Sequence, residues 1–134
     1  MPGYSGTPLP KKLGIKDGFH VSLIGVPPDV LSALKQSLDN CQVARDGKVS
    51  VDFAMLFTKD SASLKKEFKR LTQQLAPAGM LWVSWPKKGS GVATDLTENI
   101  IREIGLGAGL VDVKVCAVTD IWSGLKFVRR LKDR

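Results

Sequence analysis

Hydrophobic and polar residues alternate with two different periods along this chain, and these periods predict an ordered series of strands and helices. Short apolar runs over 19–25 and 51–57 predict strands. The second run has little polar interruption, which is typical of a parallel strand covered on both faces. Apolar residues recur at helical spacing over 29–38 and 61–75, so each of these segments predicts a helix.

The second half of the chain predicts three further strands, over 80–85, 111–118 and 122–131. Between the first two lies a helix that is expected to begin after Asp95 as its N-cap and to end in the glycines of 105–109. The connection before the final strand is too short for a parallel crossover. The last two strands are therefore expected to form an antiparallel hairpin.

This order of elements predicts an α/β fold with three layers. We expect a Rossmann-like, mostly parallel sheet between helices, with a C-terminal antiparallel hairpin. A short strand over 41–45 and a tight turn at Asp46-Gly47 complete the series. Residues 1–18 are rich in Gly, Pro and Lys and are predicted to form an extended N-terminal surface arm, which leaves 19–134 as a single α/β domain.

Composition places the chain among ordinary globular domains and gives it an excess of positive charge. Its 134 residues are 43% hydrophobic and 25% charged, which excludes a disordered chain and a disulfide-dense miniprotein. Lys and Arg number 20 against 13 Asp and Glu, a formal net charge of +7. Such a field attracts anionic partners. No basic stretch interleaved with aromatic residues accompanies it, so nucleic-acid binding is the less favoured interpretation.

Cysteine usage and the start of the sequence favour a reducing, cytoplasmic location. Cys41 and Cys116 are the only cysteines and stand far apart, so they are predicted to be free thiols. Together with His20, the single histidine, they would still need a fourth ligand to hold zinc, and no metal or cofactor is predicted. The first residues contain no apolar leader, and no apolar run approaches the roughly 20 residues of a membrane span.

The carboxyl ends of the predicted parallel strands mark the expected ligand site. The loops that follow these strands span 25–29, 58–61 and 86–95. The third loop is the most distinctive, because two lysines and a Gly-Ser-Gly segment precede a helix N-terminus and could hold a phosphate or carboxylate. The candidate ligand-binding residues are Lys59, Trp85, Lys87, Lys88, Gly89 and Ser90. The competing and slightly favoured interpretation is a flexible loop with solvated lysines, where Asp95 already occupies the helix terminus.

Motifs of several enzyme classes are missing from the sequence. His20 lies early in a predicted strand, a position more typical of a structural role than of general-base catalysis. No G-x-S-x-G nucleophile elbow and no P-loop follows a predicted strand. Asp95 and Glu98 are better explained by helix capping than as paired catalytic carboxylates. No catalytic residue is therefore predicted.

Four segments resemble an uncharacterised bacterial family. They are Tyr-Ser-Gly-Thr-Pro-Leu at 4–9, Lys-Lys-Leu-Gly-Ile-Lys at 11–16, Leu-Trp-Val-Ser-Trp-Pro-Lys-Lys at 81–88 and Trp-Ser-Gly-Leu-Lys at 122–126. Over nearly its whole length the chain is similar to the domain of unknown function three-zero-five-two. This resemblance implies no particular activity.

A more distant resemblance is to class I methyltransferases, which use S-adenosylmethionine. Asp52 at a strand start, the Leu-Ala-Pro-Ala-Gly turn at 75–79 and the terminal hairpin are similar to the later part of that fold. Those enzymes place a GxGxG loop after their first strand. This chain has Gly-Val-Pro-Pro-Asp at 25–29, and its prolines supply no N–H donors. With Asp46 as only a weak candidate for holding ribose hydroxyls, the resemblance implies the fold without its cofactor.

The favoured functional interpretation is a non-catalytic binding or regulatory module on a methyltransferase-like scaffold. It would recognise an anionic small molecule or a protein partner through the loop at 86–94. A divergent S-adenosylmethionine-dependent methyltransferase is the first alternative. Weak nucleic-acid binding by the basic surface is the second, and its affinity would collapse with added salt.

Overall fold

The computed structural model describes residues 7–43 and 50–134 and shows a six-stranded sheet with helices on both faces. The helices are α1 (Leu9–Leu13), α2 (Pro28–Leu38), α3 (Ser61–Gln74) and α4 (Glu98–Gly107). The strands are β1 (His20–Ile24), β2 (Gln42–Val43), β3 (Val51–Phe57), β4 (Leu75–Pro86), β5 (Leu110–Ala117) and β6 (Trp122–Arg129), and a 3-10 turn covers Leu131–Asp133. None of the helices in these ranges is both long enough and apolar enough to cross a membrane.

The strands lie in the order β2-β1-β3-β4-β6-β5 across the sheet. β1 to β4 are parallel, whereas β6 runs antiparallel between β4 and β5. The predicted α/β fold, with its mostly parallel sheet and C-terminal antiparallel hairpin, is thereby confirmed. The chain moves outward from β1 to β2 on one side and from β3 to β4 on the other. The switch point therefore lies between β1 and β3, and the parallel strands end at one shared edge, which we call the carboxyl edge.

Each face of the sheet buries its own hydrophobic core. α3 and α4 cover one face, where the rings of Phe68 and Phe127 meet edge to face with their centres 5.2 Å apart. α1 and α2 cover the other face, around the fully buried side chain of Trp82. β3 is buried along almost its whole length, as its continuous apolar run predicts.

The N-terminal segment departs from its prediction. Residues 1–6 lie outside the described ranges, but Leu9–Leu13 form α1 instead of an extended arm, and Leu13 is buried. The reason is a tertiary contact, because the indole N–H of Trp82 donates to the Leu13 carbonyl at 2.9 Å. The separation of an arm over 1–18 from a domain over 19–134 stays a prediction.

Strand boundaries differ from the predicted ones most clearly in β4 and β2. β4 begins at Leu75, directly after α3, and not at residue 80, because Leu75 pairs with Val51 across a register irregularity in β3. Of the strand predicted over 41–45, Gln42–Val43 form β2, and residues 44–45 lie outside the described ranges. The turn predicted at Asp46-Gly47 lies outside the described residues, and so does the suggested ribose-binding role of that aspartate.

Candidate functional site

A groove opens at the carboxyl edge between the β4–α4 loop and the first turn of α4. Its volume is about 690 Å³, and we call it the β4–α4 groove. The lining residues are Trp85, Pro86, Lys87, Lys88, Gly89, Val92, Ala93, Thr94, Leu96, Thr97, Glu98 and Ser123. The groove lies beyond the carboxyl end of a parallel strand, where open α/β sheets commonly bind their ligands.

Four of the six predicted site residues line this groove, namely Trp85, Lys87, Lys88 and Gly89. Ser90 shapes the loop beside it, because its N–H donates to the Lys87 carbonyl at 3.1 Å and its Oγ accepts from the Val92 N–H at 3.3 Å. Lys59 is exposed on the β3–α3 loop and does not belong to the lining. Its carbonyl accepts a hydrogen bond from Thr94 Oγ1 at 2.6 Å, so its backbone contacts the β4–α4 loop.

Trp85 contributes an apolar floor to the groove. Its side chain is only 6% exposed and packs in the core of the α3/α4 face. Alternation along β4 explains this position, since Leu81 and Val83 share the same face. A ring buried to this extent does not offer an open face on which a ligand could stack.

The carboxylates near the groove pair with Arg102 and not with the two groove lysines. Lys87 and Lys88 form no ion pair among the described residues. The one acidic lining residue, Glu98, accepts from Arg102 Nη2 at 2.5 Å, and Arg102 Nε donates to Asp112 at 2.8 Å. That second hydrogen bond lowers the pKa of the Asp112 carboxyl. Arg102 therefore engages both carboxylates, and neither Glu98 nor Asp112 forms an ion pair with Lys87 or Lys88.

Asp95 has a different role from the predicted one. Its carboxylate accepts from the Ser61 N–H at 2.9 Å and from Ser61 Oγ at 3.1 Å, so it caps the start of α3 and not of α4. Thr97 caps α4 instead and accepts from the Ile100 N–H at 3.2 Å. Both residue types are good caps, and only the tertiary approach of α3 decides between them. Together with the bond from Thr94, this contact ties the β4–α4 loop to α3.

Three uncharged polar residues line the groove but are not predicted from the sequence as site residues, namely Thr94, Thr97 and Ser123. Thr97 carries a local signal, because a threonine directly before a helical repeat is a good N-cap. Ser123 carries none. It reaches the groove because β6 pairs with β4 and places Ser123 opposite Trp85, a pairing that no local pattern predicts.

The loop after β1 does not fit an adenosyl cofactor held by backbone N–H groups. Gly25 adopts φ +67°, and a Cβ there would lie 2.9 Å from the Phe57 carbonyl oxygen, so this backbone packs against the end of β3. Pro27 is the N-cap residue of α2 and Pro28 its first residue, and neither has an N–H. Asp29 adds a carboxylate in the first turn. The loop is therefore poor in donors and carries a negative charge.

His20 lies at the opposite edge of the sheet from the groove. Its backbone N–H donates to Asp52 Oδ2 at 2.8 Å, and its Nδ1 lies 3.5 Å from the same oxygen. These contacts join the starts of β1 and β3, which gives the histidine a structural role. Over 7–43 and 50–134, no three His, Cys, Asp or Glu side chains are grouped so that they could hold a metal ion.

Comparison with solved structures finds the class I methyltransferase fold. Magnesium protoporphyrin IX methyltransferase from Synechocystis PCC 6803, solved with bound SAH, has a TM-score of 0.58 at 13% identity, over 85% of this chain and 75% of that chain. A SAM-dependent methyltransferase from Aquifex aeolicus has a TM-score of 0.57 at 15% identity, over 87% and 85%. A TehB-like SAM-dependent methyltransferase from Corynebacterium glutamicum has a TM-score of 0.58 at 9% identity, over 91% and 85%. At such low identities the likeness shows the fold alone.

Comparison with curated protein sequences finds no significant match. A protein family matches residues 10–131, a range that includes the β4–α4 groove and all six strands. This match confirms the resemblance that the four sequence segments indicate. The chain belongs to the family described as "Protein of unknown function (DUF3052)", whose member here is built on a methyltransferase-like, Rossmann-like α/β fold.

Proposed function

We propose that this protein is a non-catalytic binding module that recognises a small anionic ligand in the β4–α4 groove. The observation that carries the proposal is the pair Lys87 and Lys88 on an opening of about 690 Å³ beside the first turn of α4. Ammonium groups and the backbone N–H groups of a helix start both stabilise carboxylates and phosphates. The ligand class is therefore a small carboxylate or phosphate.

The groove offers few groups for acid–base or nucleophilic chemistry. Its titratable lining residues are Lys87, Lys88 and Glu98, and Glu98 is engaged by Arg102. His20, the only histidine of the chain, lies at the other edge of the sheet. This distribution supports binding without catalysis.

Several hydrogen bonds hold the groove loop in place. The Lys87 N–H donates to the Ile121 carbonyl at 2.7 Å, which joins the loop to the β5–β6 turn. Thr94 and Asp95 join it to the start of α3. A loop that is fixed in this way loses less conformational entropy when a ligand binds.

Citrate and inorganic phosphate are suitable probes for this site. We expect both to shift the NMR amide signals of 86–98 in labelled protein at constant ionic strength. Lys87→Met with Lys88→Met should weaken this binding about a hundredfold, because two charge-assisted hydrogen bonds of at least about 1.5 kcal/mol each are lost. Lys65→Met with Lys66→Met removes the same amount of charge from α3 and should leave the affinity for citrate and phosphate unchanged. Wild-type affinity in the first double variant would overturn the assignment.

S-adenosylmethionine separates this proposal from a divergent methyltransferase. We expect no saturable shifts at 25–29, because that loop is poor in N–H donors. Calorimetry with S-adenosylmethionine and with its demethylated product gives an independent measurement. Saturable binding at 25–29 would overturn the non-catalytic assignment and support the enzyme.

The basic C-terminal segment supports nucleic-acid binding less well than its composition indicates. Arg129 Nη2 donates to the carbonyls of Thr72 at 2.6 Å and Leu75 at 2.8 Å, so this guanidinium holds the α3–β4 junction. Tight binding of single-stranded DNA that is lost with added salt would favour this alternative over the anion module.

The cysteines support a reducing compartment. Cys41 and Cys116 are both free. Burial raises the pKa of the Cys116 thiol, which keeps it protonated and unreactive at neutral pH. We therefore place the protein in the cytoplasm, where thiols stay reduced.

A further inference from the structure

A second group of cations lies on the sheet face that α1 and α2 cover. Lys12 belongs to α1 and Lys16 follows it, while Lys114 lies on β5 and Lys126 on β6. The register of the C-terminal hairpin pairs Lys114 directly with Lys126. We call these four residues the lysine cluster.

Lys126 is a partly buried cation in this cluster. Its neighbours on β6, Leu125 and Phe127, are buried in the α3/α4 core, so alternation places Lys126 on the α1/α2 face. Its ammonium group has no hydrogen bond or ion pair with any of the described residues. Burial lowers the pKa of Lys126, and the charges of Lys114 and Lys16 lower it further.

Two hydrogen bonds hold α1 over this part of the sheet. Lys12 Nζ donates to the Ala117 carbonyl at 2.9 Å, and Lys114 Nζ donates to the Lys12 carbonyl at 3.0 Å. These bonds keep lysines from separate segments close together. Because an ammonium group has three N–H donors, Lys114 retains two for a ligand.

This arrangement lowers the stability of the free protein. Like charges directly opposite on antiparallel strands are destabilising, and a partly buried ammonium group loses hydration. None of the carboxylates in residues 7–43 and 50–134 forms an ion pair with Lys16, Lys114 or Lys126. Of the four cluster residues, only Lys16 lines the cavity of about 670 Å³ between α1 and α2, which Lys11 and Lys35 also line. The positive charge on β5 and β6 lies outside this cavity and is not balanced by an ion pair with a described carboxylate.

We propose that the lysine cluster binds a small ligand that carries a diphosphate group. Phosphate oxygens accept charge-assisted hydrogen bonds from ammonium groups, and a diphosphate has enough negative charge to offset Lys16, Lys114 and Lys126 together. The site is separate from the β4–α4 groove, since Lys126 pairs with Trp82 inside the sheet whereas the groove begins at Trp85. Binding sites commonly retain such locally destabilising residues because function requires them.

Pyrophosphate is the probe for this site, in calorimetry and NMR titrations at constant ionic strength. Lys126→Met should weaken its binding about tenfold. The same substitution should raise the urea midpoint of the free protein, because a neutral side chain removes the repulsion. A lysine with a merely structural role would not show both effects.

Two further variants complete this test. Lys114→Met, at an exposed position, should also weaken pyrophosphate binding. Lys69→Met on α3 is the control, and it should change neither the pyrophosphate affinity nor the urea midpoint.

The outcomes that would overturn the proposal are distinct. Wild-type pyrophosphate affinity in both Lys126→Met and Lys114→Met would do so, as would a response no larger than that to chloride. Loss of pyrophosphate binding in the Lys87→Met, Lys88→Met double variant would place the pyrophosphate site in the groove. Pyrophosphate binding that is retained in this double variant supports the lysine cluster, even if the groove itself binds no anion.

ADP tests the source of the phosphates. Tighter binding of ADP than of pyrophosphate indicates a nucleotide, and equal binding indicates the diphosphate alone. Tighter binding of single-stranded DNA through the same lysines would replace the small ligand with a nucleic acid.

Discussion

Gly105 and Gly107 lie in the same helix, α4, but in very different surroundings. A Cβ at Gly105 would lie 2.0 Å from Cε1 of Phe127, whereas a Cβ at Gly107 would meet nothing within 4 Å. We expect Gly105→Ala to destabilise the protein by about 1–3 kcal/mol, because Phe127 is held in the core by Phe68. Gly107→Ala should stabilise it by at most about 0.5 kcal/mol, because helix propensity counts less at the last residue of a helix than in its interior. Urea unfolding of both variants measures the two free energies.

The two substitutions add the same atoms to the same helix, so their difference reports on the contact with Phe127. Equal effects would contradict the close packing of α4 on β6. The sequence predicts both glycines as residues that end the helix, and this interpretation is wrong for Gly105, which lies inside α4. Its role depends on a ring from another element and has no local signal.

Asp95 connects two elements, and its removal tests how the groove loop is held. Asp95→Ala removes the acceptor for the Ser61 N–H and Oγ, so we expect a loss of about 1 kcal/mol in stability. Hydrogen exchange of the amides over 86–94 should become faster, because the loop loses one of its ties to α3. Asp60→Ala is the matched control, because Asp60 caps the same helix through the Ser63 N–H at 2.8 Å. It should lower stability similarly but leave exchange over 86–94 unchanged, and faster exchange in both variants would contradict this role for Asp95.

Elements whose pattern is local are predicted well by the sequence, and elements that depend on a distant partner are not. The continuous apolar run of β3 and the helical stripe of α3 are enough to identify both. α1 is a short proline-containing helix whose place is set by the contact between Leu13 and Trp82, which are 69 positions apart. The cap of α4 is mispredicted for the same reason, since Asp95 is occupied by α3.

At the scale of the whole molecule, the order of elements predicts the fold class and the antiparallel pairing of β5 with β6, but the pairing of β6 with β4 is not predicted. That second pairing brings Ser123 to the groove, whereas the register of the predicted hairpin brings Lys126 opposite Lys114. The groove therefore depends on a pairing that the sequence does not reveal, and the lysine cluster depends on the register of a hairpin that it does predict. Lys59, in contrast, is predicted for the groove from its place after β3, and its side chain lies outside the lining.

The net charge of +7 makes the stability of the whole molecule sensitive to salt. Raising NaCl from about 0.01 M to about 0.15 M shortens the screening length from about 30 Å to about 8 Å, which weakens repulsion among lysines more than it weakens close ion pairs. We expect the urea midpoint to rise with an unchanged m-value, because screening stabilises the folded state without altering the surface exposed on unfolding. Lys126→Met should show a smaller rise, since it has already lost part of the repulsion. A midpoint that falls with salt, or an equal rise in the variant, would mean that attractive ion pairs outweigh the cluster.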